Sequence, residues 1–136
     1  MILAGDIGGT KALLQLATVR AGRPAPVLER RYAVASFADF SAMLARFFDE
    51  CGQHRRRDLR LGSACFGAAG PVSDNCIRMT NLPWRIDADA LQQKFGFERC
   101  LLLNDLEATA SGLPALGAED LLTLHPVRRM PAVMRR

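Results

Sequence analysis

Apolar residues follow two rhythms along this chain. Met1-Ile2-Leu3-Ala4 and Ala12-Leu13-Leu14-Gln15-Leu16-Ala17 read as two short strands on either side of a glycine turn. Apolar positions from Val27 to Ala35 give a third strand, after the turn Ala21-Gly22-Arg23-Pro24. The rhythm then changes. Phe37, Phe40, Met43, Leu44, Phe47, Phe48 and Cys51 recur at spacings of three and four, which puts one apolar stripe on a helix. Ser36 with Asp39 resembles a capping box with Asp in the Glu position, and Gly52 supplies the stop, so helix is expected over 37–51. That stripe packs a core and needs no ligand.

Leu59 to Ala69 reads as a central strand rich in small residues, which let another backbone or a ligand approach. Gly70-Pro71 ends it, and Cys76 to Met79 gives a short strand. Asp87 caps a second helix, with Ile86 and Leu91 as a hydrophobic staple and Gly96 as its end. Cys100-Leu101-Leu102-Leu103 is fully apolar, as expected for a strand covered on both faces. Asn104 or Asp105 caps a third helix that ends near Gly112-Leu113-Pro114. The order predicts an α/β fold, with a mixed sheet of about five strands flanked by helices.

Candidate chemistry lies at two strand ends. Gly5-Asp6-Ile7-Gly8-Gly9-Thr10-Lys11 follows the first strand. Paired glycines admit φ > 0, and such a turn aims successive N–H groups at one point, which suits a phosphate. A carboxylate beside that point repels phosphate unless a cation lies between, so Asp6 suggests Mg²⁺, held directly or through water. A plain hairpin with a surface Asp and Lys is the alternative, and Lys11 equally suits solvent. Asn104-Asp105 follows the last strand. Ligands in α/β sheets lie beyond the carboxyl ends of strands, so Asp6 and Asp105 could face the two halves of one reaction. A positioned carboxylate helps a hydroxyl attack by taking its proton. A plain helix cap is the alternative for Asn104-Asp105. Glu107 supplies first-turn charge to the helix. Trp84, the one tryptophan, fits a cleft edge or local packing equally.

Composition narrows the class. The 136 residues are 49% hydrophobic and 24% charged, ordinary for a soluble domain with a real core. No apolar stretch approaches the roughly 20 residues that span a bilayer, and the N-terminus lacks a basic-then-apolar signal pattern, so a cytoplasmic protein is expected. The net charge of +4 is local: of 18 Lys and Arg, four lie in 127–136, leaving fourteen against fourteen Asp and Glu. Arg55-Arg56-Arg57 is flanked by Asp49, Glu50 and Asp58 without interleaved aromatics, which argues against nucleic acid. Cys51, Cys65, Cys76 and Cys100 form no CxxC pair, and His54 and His125 complete no ligand cluster, so buried free thiols are expected.

The turn GDIGGTK, the loop Thr80-Asn81-Leu82-Pro83-Trp84 and the junction LLNDLEA, in this order and spacing, resemble the N-terminal domain of bacterial glucokinases. The resemblance covers residues 1 to 124. It implies the actin-like, ribonuclease H-like ATPase fold, with ATP and Mg²⁺ as cofactors and glucose or a related hexose as substrate. It implies that Gly5, Asp6, Ile7, Gly8, Gly9 and Thr10 form the ATP site, their backbone around 8–10 cradling the phosphates, with Asp6 acting on Mg²⁺. Asn104 would bond sugar hydroxyls, and Asp105 would accept the proton of the 6-hydroxyl as it attacks the γ-phosphate.

Family members carry a second, larger domain that closes over the sugar. Residues 1–126 are therefore expected to form the phosphate-turn and sugar-base domain, and 127–136 an exposed basic tail. The composition change near Pro126 suggests a reading frame that leaves the ancestral one there, or a boundary set by design. The chain alone is expected to have little or no glucokinase activity. The alternatives are one subunit of a split kinase, completed by another chain or a second copy, and a non-enzymatic interaction module.

Overall fold

Alternation along the first strands decides which side of the sheet is buried. The structure, a computed structural model, describes residues 1–52 and 62–124. The readings at His54, Arg55 to Arg57, 59–61, His125 and 127–136 lie outside the described residues.

Strand β1 (Ile2–Ile7) pairs antiparallel with β2 (Lys11–Arg20), which pairs antiparallel with β3 (Arg23–Ala33). On the other side β1 runs parallel to β4 (Ser63–Ala68), and β4 parallel to β8 (Arg99–Asn104). The sheet order is β3-β2-β1-β4-β8, the expected five-stranded mixed sheet. A second sheet of three short strands, β5 (Val72–Ser73), β6 (Cys76–Arg78) and β7 (Arg85–Asp87), was legible in sequence only at β6.

The turn between β2 and β3 is tighter than expected. Ala21 and Gly22 both take positive φ, at 50° and 76°. Strand β3 then starts at Arg23 and runs through Pro24 and Pro26, which an edge strand tolerates.

One face carries Leu3, Ile7, Leu14, Ala64, Phe66, Cys100 and Leu102, all buried. Two helices cover it: α1 (Phe40–Glu50) and α2 (Ala88–Phe95). Phe66 meets Phe40 edge-on at 4.9 Å and Phe97 at 6.4 Å. Helix α1 starts later than its apolar spacing suggests. Asp39 is the cap, accepting from the Ala42 N–H at 2.7 Å, while Val34–Ser36 forms a 3₁₀ turn. Phe37 leaves the stripe and packs edge-on against Tyr32 at 5.4 Å. Helix α2 obeys its signals: Asp87 accepts from the Ala90 N–H, and Gly96 stops it at φ 74°.

The opposite face is covered only in part. Helix α3 (Asp105–Gly112) lies over β4 there, while Ala4 is exposed and Leu101 keeps 47% of its surface. The apolar run 100–103 is thus an edge strand covered mainly on one face, not both. Leu106 of α3 and Leu113 just after it are also exposed, keeping 76% and 58% of their surface.

Cys65, Cys76 and Cys100 are free thiols, and of the four cysteines only Cys100 is fully buried. Burial pushes its thiol up to about 12, and burial with the nearby Glu107 charge raises Cys65. Glu50 ends α1 in a small polar network, accepting from Arg46 Nε at 2.7 Å and Tyr32 Oη at 3.0 Å. The Arg46 hydrogen bond holds its carboxyl below the usual range.

Candidate functional site

Three parallel strands end together, and that places the two carboxylates. Asp6 of β1 is level with Gly67 of β4, and Gly67 with Leu103 of β8. Strand spacing then sets Asp6 and Leu103 ~10 Å apart across the sheet. Asp105 follows two residues later, as the first residue of α3. Between the carboxylates stands Gly67, which has no side chain. The result is an open cavity of about 460 Å³ bordered by Gly5, Asp6, Gly67, Asp105, Ala108 and Thr109.

Gly67 serves a second purpose. A Cβ there would lie 2.9 Å from the Ala108 Cβ, so helix α3 rests directly on the strand. Gly67→Ala should push α3 off β4 and cost ~1–3 kcal/mol, as overpacking does. Urea denaturation measures the loss, and no change would mean that α3 does not bear on β4. The sequence marks this strand by its small residues but does not single out Gly67.

Asp105 is half-buried at the cavity. Its Oδ1 accepts from the Leu106 N–H at 2.9 Å, and among the described residues Oδ2 accepts no hydrogen bond. Its backbone carbonyl accepts from Thr109 Oγ1 at 2.9 Å, which fixes the first turn of the helix. Asn104 is the helix cap, accepting from the same Leu106 N–H at 3.1 Å. Its Nδ2 donates to the Gly70 carbonyl at 3.0 Å. Asn104 is thus not among the cavity's bordering residues, and among the described residues one of its amide hydrogens has no acceptor.

The glycine turn lies at the same strand end but is built differently from the expectation. Neither Gly8 nor Gly9 takes positive φ. The Gly8 N–H donates to the Lys11 carbonyl at 2.9 Å, and a Cβ at Gly8 would stand 3.1 Å from that oxygen. Close approach of the chain to itself, rather than a left-handed backbone, is the reason for Gly8. The Thr10 carbonyl accepts from the Val34 N–H at 3.0 Å, which ties the turn to the end of β3. The N–H groups of Gly9 and Thr10 donate to no backbone carbonyl among the described residues. Gly8, Gly9 and Thr10 do not border the cavity of Asp6 and Asp105. Ile7 is fully buried in the core, so only its backbone could meet a ligand. Gly5 is a packing glycine, since a Cβ there would come within 2.8 Å of Phe66 and Leu14. Lys11 is exposed.

The 80–84 loop closes against this turn. Thr80 donates from both N and Oγ1 to the Ala69 carbonyl, and the Asn81 side chain lies 3.4 Å from where a Gly9 Cβ would be. Trp84 is buried, 5% exposed, and its carbonyl accepts from the Met79 N–H. It is local packing, not a cleft edge. Glu107 is exposed in the first turn of α3, as a helix-end charge should be. Among the described residues no group of three or more His, Cys, Asp and Glu could hold a metal. Nor is any helix there long and apolar enough to cross a membrane.

A family model described as glucokinase matches residues 3–135. This chain belongs to the glucokinase family. It is 39% identical over 128 residues to a glucokinase of Synechocystis sp., covering 90% of this chain and 36% of that relative. Against a glucokinase of Nostoc sp. the identity is 33% over 132 residues, 96% of this chain and 37% of the relative. The crystal structure of a glucokinase from an Antarctic psychrotroph superposes with a TM-score of 0.75 at 26% identity, over 87% of this chain and 36% of that one. The glucokinase-family chain thus spans little more than a third of the relatives it matches. Its fold is that of the actin-like ATPases, shared with these sugar kinases.

Proposed function

We propose that this chain supplies the phosphate-turn and base side of an ATP-dependent glucokinase site, in which a hexose 6-hydroxyl takes the γ-phosphoryl group. The reading rests on one observation: Asp6 and Asp105 border the same open cavity on either side of Gly67, at the shared end of three parallel strands.

A sugar hydroxyl is a weak nucleophile. Asp105 has one carboxylate oxygen committed to the Leu106 N–H and one uncommitted. The uncommitted oxygen takes the hydroxyl proton as the new O–P bond forms and the bond to the ADP oxygen breaks. Asn104, held by Gly70, keeps one amide hydrogen for a sugar oxygen. The N–H groups of Gly9 and Thr10 are available to phosphate oxygens. Asp6 is exposed at the cavity and offers oxygen, the donor that Mg²⁺ prefers. A site with one carboxylate, water and substrate phosphates fits that ion better than an all-protein cage. When bound, Mg²⁺ neutralises phosphate charge, and Asp6 would hold it through water. A cytoplasmic location and a hexose substrate follow from the same reading.

The test replaces the matching segment of the Synechocystis glucokinase with residues 1–124 of this chain. The graft is expected to form glucose 6-phosphate from glucose, ATP and Mg²⁺ in a coupled assay. A soluble, folded graft that binds Mg·ATP but makes no product would overturn the assignment. The 136-residue chain alone is expected to turn over little glucose, because its described residues border the cavity from one side only.

A further inference from the structure

Strand β8 ends at Asn104 and leads straight into Asp105, yet among the described residues it is an edge strand with one neighbour in the sheet. Its ladder with β4 fixes one side. Along a strand, alternate residues present their backbone groups to the same side, so those of 100, 102 and 104 share the outer edge.

Two side chains meet that edge: Gln92 Oε1 accepts from the Cys100 N–H at 3.2 Å, and Asn75 takes the next two groups. Asn75 Nδ2 donates to the Cys100 carbonyl at 3.1 Å, and Asn75 Oδ1 accepts from the Leu102 N–H at 3.2 Å. The amide thus pairs with β8 as the N–H and C=O of one residue in a neighbouring strand would. The Asn75 residue is itself pinned. It sits at φ 53° in the turn between β5 and β6, and its carbonyl accepts from the Ala88 N–H at 3.1 Å at the start of α2. Its Nδ2 also lies 3.4 Å from Asp89 Oδ1. The same hairpin makes a second attachment two residues further along, where the Gly70 carbonyl receives Asn104 Nδ2. Gly70 has no room to move: a Cβ there would lie 2.6 Å from the Arg78 carbonyl.

We propose that Asn75 is a positioning residue, which splints the free edge of β8 and so sets where Asp105 stands at the cavity. It touches no ligand and acts through Asp105, so the inference rests on the proposed role of that carboxylate. Side-chain amide geometry supplies what an aliphatic or hydroxyl residue could not: a donor and an acceptor side by side, as one residue of a neighbouring strand presents its N–H and C=O. The left-handed backbone at 75 also suits Asn better than most residues.

Two variants separate the side chain from the turn. Asn75→Gly keeps the positive φ and deletes both hydrogen bonds. Asn75→Asp keeps the turn and the acceptor for Leu102, but sets a carboxylate against the Cys100 carbonyl and Asp89, with Asp74 adjacent. In the isotopically labelled 136-residue chain, both variants should move the Leu106 amide resonance, because that N–H is shared by Asn104 and Asp105. Amides of β2 should stay in place.

In the graft, Asn75→Gly should lower kcat about tenfold with an unchanged KM for ATP, since small misplacements of a reacting group cost this much or more. Combined with Asp105→Asn, it should cost nothing further. An equal loss in both backgrounds, or a Leu106 resonance unmoved in both variants, would overturn the inference while leaving Asp105 as base. If Asp105→Asn alone has no effect, the reading beneath it fails instead.

Discussion

Asp105→Asn in the grafted enzyme is expected to lower kcat by ~10²–10⁴-fold, the usual worth of a general base. The substitution is close to isosteric. Its amide oxygen can still accept from the Leu106 N–H, as Oδ1 does now, and Thr109 can still bond the backbone carbonyl. What is lost is the oxygen that receives a proton. The KM for ATP should hardly change, because Asp105 and Asp6 stand on opposite sides of Gly67. Steady-state kinetics at saturating Mg·ATP give the ratio, and a thermal melt checks that the fold is intact. A loss below about threefold would remove Asp105 from the role of base.

Phe66→Ala should be the most damaging single change to stability, at ~3–5 kcal/mol. Phe66 is fully buried on an interior strand and is the ring on which the covered face converges. It meets Phe40 of α1 and Phe97, in the three-residue link between α2 and β8. It also fills the space left by Gly5, whose missing Cβ would lie 2.7 Å from it. Little can collapse into that gap, because its neighbours are strands and a rigid ring. Domains of this size have total stabilities of ~5–15 kcal/mol, so the variant should be marginal. Leu106→Ala, at a position 76% exposed, should stay within ~0.5 kcal/mol. Urea midpoints for the two variants measure the contrast, and equal shifts would contradict the layering of the sheet.

The parts of the fold that the sequence revealed are those with strong local causes. Asp87 and Gly96 bracket α2 because a side-chain cap and a left-handed stop act within one turn of chain. Asn104 before Asp105 announces α3 in the same way. Helix α1 starts later than its spacing suggests because Phe37 fits the stripe but is drawn back to Tyr32, five residues earlier, across the 3₁₀ turn. Strand β7 is three residues long and exists only through its pairing with β6, so no local pattern marks it. The same limit applies to the site. Asp6 and Asp105 stand out as acids at strand ends, but only the register of β1, β4 and β8 sets them on one cavity. Gly67, Gly70 and Asn75 owe their importance to neighbours 41, 8 and 25 to 27 residues away, at Ala108, Arg78 and Cys100 to Leu102. Gly8 was legible as a turn glycine, but for the wrong reason, since its own chain rather than its φ demands it.

The two margins of the main sheet differ in construction but share an effect. At β3, two prolines and the charged Arg23, Glu29, Arg30 and Arg31 discourage a further strand from pairing. At β8, the Cys100 N–H and carbonyl and the Leu102 N–H are already taken by the side chains of Gln92 and Asn75. Both edges therefore resist growth by strand addition, the route by which exposed edges seed aggregates. Its open side is a face, bordered by Ala4, Leu101 and Leu106 of α3. Any association of this domain through its main sheet must stack on that face, where shape and apolar area select the companion, rather than extend a backbone ladder that would accept almost any extended chain.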